Sequence, residues 1–372
     1  MKKRFYAIVS KILILLFALG VESFCTGFSS ETTEWPVLNS TGELVTEQPT
    51  MVLSNTRSTL AVPTYVTNID GLWFIVDSYH NQIIYNERRS QDLAEWKVLT
   101  NDVMMPHSIA GDGCVLLVDD TENHRVLVFA KNEEGEYVNS QIFNNIGNRP
   151  HHTVYDPADN AFYVWSSMTG EMYVFRRNEG ASLVYLSDIR TVSEDTDTAS
   201  AVSLESLATP DASVCDAVKN DGFLTGTYIR SFYIDGDDIY FVSGIRENGT
   251  STGIVVCDKH SFRVKEVIVV PDKLAGMISL RKDGGYYYMT ISTDVHYDQS
   301  TATMIRTRDL HSLKSGDYEE LYSKYFIGGG TPYNMTKIGD TLYLTENRLP
   351  GFNIWSYKLD ENDVITDVTH LY

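Results

Sequence analysis

The sequence predicts an all-β fold, a single β-propeller of six four-stranded blades with seven as the alternative count, on three observations. A turn-and-strand unit recurs six times, aromatic residues are plentiful, with 23 Tyr and 15 Phe among 372 residues, and helical periodicity is nearly absent. At 43% hydrophobic the chain can bury a large core and is not a disordered protein. Length alone does not divide it, because each blade of a propeller adds its own small core.

The chain opens with Met1, Lys2, Lys3 and Arg4, and after Lys11 runs uncharged from Ile12 to Val21 before small residues follow. Residues 1–23 therefore read as a secretory signal peptide, too short in its apolar run to span a bilayer, and no later segment is long enough to do so. A secreted or extracytoplasmic surface location is expected. Attachment as a lipoprotein through Cys25 is the alternative, but the bulky Phe24 and the charged Glu22 suit it poorly. Residues 24–50, rich in Ser, Thr, Glu and Pro, read as a flexible spacer. Residues 51–372 make the propeller.

Without residues 1–23 the formal charge falls from −20 to −23. So acidic a chain repels phosphate backbones, which excludes nucleic acid as a partner. The four cysteines, at 25, 114, 215 and 257, are too few for a disulfide scaffold, although one bridge between Cys215 and Cys257 can be drawn.

The recurrent turn and second strand read DGLWFIVDS (70–78), DGCVLLVDD (112–120), DNAFYVWSS (159–167), DDIYFVSG (237–244), DGGYYYMTIS (283–292) and GDTLYLTEN (339–347). A third strand follows in NQIIY (81–85), NHRVLVF (123–129), GEMYVF (170–175), TGIVVCD (252–258) and NIWSY (353–357), and a weaker outer strand in EWKVL (95–99), SLVYL (182–186) and KEVIVV (265–270). The irregular spacing between the third and fourth units comes from a long polar insertion, residues 187–225, expected as a surface loop. Ala201 to Leu207 within it is the one short helix candidate. Residues 364–372 and the stretch Met51 to Leu53 are both candidates for a strand that closes the ring and removes the open sheet edges.

The segments DSYHNQIIY (77–85) and DDTENHRVLVF (119–129) resemble the Asp-x-x-Asn-x-Arg-apolar pattern of NHL repeats. The likeness is close in the second unit, where Asp119 or Asp120, Asn123, Arg125 and Val126 fill the pattern. In the first unit Gln82 stands for the Arg, and in the other four the pattern is eroded. The resemblance implies a six-bladed propeller of secreted bacterial type, with the Asp and Asn bonding turn backbone and the Arg covering a neighbouring strand.

In such a ring the first strand of every blade lines the central channel. Aligning PHSIAGDG (106–113), PHHTVYDP (150–157) and IRSFYIDG (229–236) places His107, His151 and Arg230 at equivalent positions, with Tyr65 and Tyr333 as neighbours and only Met277 or Ile278 from the fifth unit. Two His, one Arg and two Tyr converging in a concave site suit an anionic or hydroxyl-rich ligand, the Arg holding a carboxylate bidentately and the Tyr offering a stacking face. The bland reading is that they bond inner-strand backbone and channel water.

Some propellers of this general kind, amidating lyases among them, are similar in holding zinc on channel histidines, which would make His107 and His151 metal ligands. A catalytic zinc wants three protein ligands, and His152 is expected on the opposite strand face. Calcium-dependent lactonase propellers are also similar in architecture, but Thr64 and Tyr65 stand where their acidic residue would be. No cofactor is established by the sequence, and zinc or calcium are the ones the resemblance raises. GGG at 328–330 reads as a lead-in turn and not as a phosphate cradle. The Asn-x-Ser/Thr patterns at Asn39, Asn248 and Asn334 do not point to glycosylation, and no Gly-x-Ser-x-Gly elbow occurs.

The leading expectation is therefore an exported propeller, expected as a monomer, that binds a small anionic or carbohydrate-like ligand, or a protein segment, at the channel mouth. Its rival is a metal-dependent or acid/base lyase or hydrolase using the His/Arg cluster. No catalytic residue can be named from the sequence.

Overall fold

The computed structural model describes residues 53–194, 201–210 and 222–372, and within them six blades of consecutive antiparallel strands surround one axis. Blade 1 comprises Pro63–Ile69, Leu72–Asp77, Gln82–Asn86 and Lys97–Thr100, and blade 2 comprises Ile109–Gly111, Val115–Asp120, Arg125–Lys131 and Tyr137–Phe143. Blade 3 is Pro150–Asp156, Ala161–Ser166, Glu171–Arg177 and Val184–Thr191, and blade 4 is Phe232–Asp235, Asp238–Phe241, Ile254–Asp258 and Val264–Ile268. Blade 5 is Gly276–Asp283, Tyr286–Thr293, Thr303–Thr307 and Glu319–Glu320, and blade 6 is Thr331–Ile338, Thr341–Asn347, Ile354–Leu359 and Ile365–His370.

The hairpins between first and second strands follow from local chemistry. In blade 1, Asp70 and Gly71 sit at φ 51° and 83°, the left-handed pair that a tight two-residue turn requires and that Asp-Gly adopts at little cost. The second strands are apolar on both sides because both sides are covered: Val115–Asp120 and Ala161–Ser166 are buried at every residue. Neighbouring blades meet through these faces. Trp165 of blade 3 packs on Phe241 of blade 4 with ring centroids 4.5 Å apart, and Phe74 of blade 1 on Tyr137 of blade 2 at 6.4 Å. Each large side chain so buried contributes on the order of 2 kcal/mol.

A polar stitch crosses every seam near the axis. Thr64 donates to Pro106 O (3.4 Å), Thr121 to Pro150 O (2.7 Å), the Trp165 indole to Ile229 O (2.8 Å), Ser231 to Ile278 O, Thr290 to Tyr333 O, and Thr345 to Thr64 O (3.2 Å). Each link satisfies the backbone at the start of the next blade's inner strand, where no ladder partner lies on the axis side. The six stitches fix the inner strands relative to one another.

The ring closes without a shared blade, which corrects both candidates for a closing strand. Ile365–His370 is the ordinary fourth strand of blade 6, and Leu53–Ser54 adds a fifth strand outside Lys97–Thr100 of blade 1. Closure is made by side chains: Val66, Ile75, Ile84 and Trp96 of blade 1 pack with Tyr343, Ile354 and Leu371 of blade 6. The helix candidate at 201–207 is also corrected, since Ala201–Ser206 pairs as a fifth strand on Val184–Thr191 of blade 3. Leu204 packs against the core between blades 2 and 3 while Ser203 is exposed, the alternation of a strand. Residues 187–191 of the expected insertion continue the outer strand of blade 3.

The signal peptide, the spacer, Cys25, Asn39 and Cys215 lie outside the described residues. Cys257 is a buried free thiol and Cys114 an exposed one. Among the described residues no helix is long and apolar enough to cross a membrane.

Candidate functional site at the channel mouth

Because strands alternate in direction, all six inner strands start at one end of the ring. That end also carries the turns between second and third strands and the connections between blades. His107 precedes the inner strand of blade 2, His151 lies on that of blade 3, Arg230 precedes that of blade 4 and Tyr333 lies on that of blade 6. His107 and His151 stack face to face, centroids 3.9 Å apart and planes 20° from parallel. The Tyr333 hydroxyl lies 3.0 Å from Nδ1 of His107 and 3.4 Å from Nε2 of His151. A phenol has one proton, so a hydroxyl bonded to both rings donates to one and accepts from the N–H of the other.

Arg230 stands beside this trio. Its guanidinium lies over the Tyr228 ring at 4.6 Å and donates to Ser292 Oγ at 3.1 Å. Among the described residues no carboxylate lies within ion-pair distance of it. Arg149 flanks the same Tyr228 ring at 5.9 Å, pairs with Glu122 at 2.6 Å and has a buried Nε with no partner among the described residues. The mouth is therefore cationic.

Both histidines are buried and held neutral. Burial first, then the positive field of Arg149 and Arg230 and the neighbouring His152, pushes His107 down to about 3. Burial, His107 and the same two arginines hold His151 well below the usual imidazole range. Burial raises the Tyr333 phenol. Below the trio the Asp119 carboxyl accepts from His107 N at 2.7 Å and from Ser108 Oγ, with Thr121 Oγ1, which donates to Pro150 O, 3.2 Å away. Ser108 Oγ in turn accepts from Thr153 N of blade 3 at 2.7 Å. Burial lifts Asp119 to about 7 even though these bonds favour the carboxylate.

Tyr65, expected at the same site, meets His152 at the hub rather than the His107–His151–Tyr333 trio. It packs against His152 (6.2 Å, edge to face), which in turn meets Phe232 at 5.3 Å. His152 was expected on the opposite strand face, and the structure overturns that. A bulge between Pro150 and His152 breaks the alternation, so two consecutive histidines serve the hub. Burial lowers His152 to about 4. Of the fifth unit's expected contributions, Met277 belongs to the core between blades, and that blade reaches the mouth through Ser292 of its second strand instead.

Sequence reasoning missed Arg149, Tyr228 and Ser292. Tyr228 was within reach, standing two residues before Arg230, and Arg149 immediately precedes the aligned Pro150. Two stacked imidazoles do not converge on one point, and no group of three or more His, Cys, Asp or Glu able to hold a metal ion comes together among the described residues.

The pattern that resembles an NHL repeat has a structural task in blade 2. Asp120 accepts from Met104 N (2.6 Å), Asn123 Nδ2 (2.9 Å) and Arg125 Nε (2.5 Å). Arg125 then donates to Asp102 O at 2.8 Å. The network pins the connection that delivers His107.

No protein-family model matches the sequence, and no curated protein matches it either. Solved structures do resemble the fold. A presumed 6-phosphogluconolactonase from Bacteroides fragilis superposes with a TM-score of 0.54 at 14% identity, over 84% of this chain and 85% of the other. One from Bacteroides uniformis gives 0.52 at 13%, over 85% and 88%. Sqt1 of Saccharomyces cerevisiae gives 0.50 at 10%, over 86% and 88%. At these identities the likeness establishes the six-bladed propeller and nothing of its chemistry.

Proposed function

We propose that this chain is an exported propeller, akin in repeat design to the NHL group, that binds the anionic group of a ligand at its channel mouth. The observation that carries this reading is Arg230, a half-buried guanidinium with no acidic partner among the described residues, in a chain with a net charge of −20. Partial burial leaves this cation incompletely compensated by its Ser292 bond and the Tyr228 ring, and a ligand's negative charge would complete it. Neutral His107 and His151 add hydrogen-bond donors and acceptors without adding charge, and Tyr228 and Tyr333 supply faces for a ring or a planar acid.

The same electrostatics weaken the rival acid/base reading. An imidazole held near 3 retains a proton too poorly to act as a general base at neutral pH.

Calorimetric titration with a panel of sugar acids and sugar phosphates tests the proposal. The two Bacteroides names put 6-phosphogluconate in that panel. Arg230→Gln should weaken the best binder by about 10- to 100-fold, the worth of one charge-assisted hydrogen bond, and His107→Ala should weaken it less. A panel that binds Arg230→Gln as tightly as the native chain would overturn the reading.

A further inference from the structure

The end of the ring that opens at the hub also gathers most of the exposed large apolar side chains among the described residues. Nine large hydrophobic side chains are exposed among the described residues, and six stand in turns or connections at this end: Tyr79 (60% exposed), Met104 (48%), Met168 (41%), Val269 (61%), Tyr297 (57%) and Ile327 (54%). They come from six different blades or junctions, so no local sequence feature explains their gathering. Strand direction does. Tyr79, Met168 and Tyr297 lie between second and third strands, and Met104, Val269 and Ile327 between one blade and the next. The opposite end exposes only Val364 of this set, in a turn otherwise made of Asp360, Glu361, Asn362 and Asp363.

Exposed apolar groups around a desolvated charged centre are the make-up of a protein-binding face, with apolar contact area about a polar anchor. We infer that the ligand's anionic group arrives on a polypeptide: an acidic side chain or a C-terminal carboxylate enters the hub at Arg230, and apolar residues flanking it rest on the exposed rim. This rests on the hub reading above and names the kind of molecule that carries the charge. Charge complementarity favours this occupant. The cationic hub sits within a chain whose overall field repels anionic lipid as it does nucleic acid. A small sugar acid would fill the hub and leave the rim uncovered.

Panning a displayed random peptide library on the purified protein, followed by calorimetry on the enriched peptides, tests the inference. Enriched sequences should carry a carboxylate flanked by apolar residues. The double variant Tyr297→Ser with Ile327→Ser, both sites being exposed and remote from the hub bonds, should bind them at least tenfold more weakly. It should bind the best small acid as the native chain does, whereas Arg230→Gln should lose both. If the rim variant leaves peptide affinity unchanged, or no carboxylate-bearing peptide is enriched while a small acid still binds at Arg230, the inference falls and the hub reading stands. If neither small acid nor peptide binds, both fall. Co-sedimentation with phosphatidylcholine vesicles that depends on Tyr297 and Ile327, with no peptide enriched, would overturn the inference in favour of a lipid surface.

Discussion

The two ends of the ring are built from the same repeat and put to opposite uses. At the far end, where first and second strands turn, ion pairs link successive blades: Lys131 to Asp70, Arg177 to Asp112 (2.6 Å), Lys259 to Asp156 (2.6 Å), Lys282 to Asp235 (2.9 Å) and Lys337 to Asp283 (2.7 Å). In each, a basic residue of one blade reaches the turn Asp of the blade before it. The sixth seam departs from the pattern. There Asp340 pairs with Lys358 of its own blade at 2.9 Å, and Arg89 lies over the Tyr343 ring at 5.8 Å instead. At the hub end the seams are held by five buried hydroxyls and an indole N–H, and among the described residues Arg230 has no ion pair. Charge is satisfied where the ring is only held together and left available where it can meet a ligand.

The largest effect expected from breaking this contrast is at Asp119. Asp119→Ala would strand two buried donors, the His107 N–H and the Ser108 hydroxyl, at roughly 1 to 3 kcal/mol each when unpaired. Part of this is recovered by relaxation, so chemical denaturation should show a loss of about 3 kcal/mol. Asp119→Asn keeps an acceptor toward His107 N and should cost about a third as much. A loss below about 1 kcal/mol for the Ala variant would show that the carboxyl does not hold the inner strands of blades 2 and 3.

Acidification should also discriminate the ends. His107 and His152 are lowered in the folded chain to about 3 and 4, while an unfolded histidine titrates near 6.5. The unfolded state therefore binds more protons below that value, and stability falls with pH by about 2 kcal/mol per buried histidine between pH 7 and 5. Asp119 acts in the other sense. Its raised value of about 7 gives stability that is complete below its unfolded pKa and is lost as pH rises through 7. The native chain should accordingly lose stability toward pH 5 less steeply than Asp119→Asn, in which that offset is gone. Denaturation curves of equal slope for the two would contradict the placement of a protonated Asp119 under neutral histidines.

What was legible in the sequence follows the same division. The far-end turns obey local rules, so Asp70-Gly71 and Asp112-Gly113 and the apolar strands behind them could be read and the blades counted. Blade 5 was read only in part, because its third strand, Thr303–Thr307, has two apolar residues and its outer strand is just Glu319–Glu320. At the hub, alignment by blade found His107, His151, Arg230 and Tyr333, since equivalent positions on inner strands must converge. It misplaced Tyr65 and His152, because bulges after Pro63 and Pro150 shift which residue faces the axis. Sequence spacing carries no trace of a bulge until a partner strand is present to be out of register with. Arg149 and Ser292 lie outside the aligned positions, on a connection and on a second strand, and only the closed ring brings them to Arg230.

The smallest expected effect comes from the far-end belt, and its internal variation sharpens the comparison. Lys282 and Asp235 are both substantially exposed, so water already solvates each charge well and their pairing gains little. Lys282→Ala should change stability by about 0.5 kcal/mol, less in high salt. Lys259 is buried against Asp156 and Asp159, its hydrogen bonds to them outweighing a burial that disfavours its charge. Lys259→Met should cost several times more than Lys282→Ala, because it leaves two carboxylates facing one another at the seam between blades 3 and 4. Neither variant should alter ligand affinity at the hub by more than about twofold, since the belt and the mouth lie at opposite ends of the inner strands. If Lys282→Ala weakened hub binding as much as Arg230→Gln does, the belt would be setting the geometry of the mouth, and the two ends could no longer be treated as separate devices.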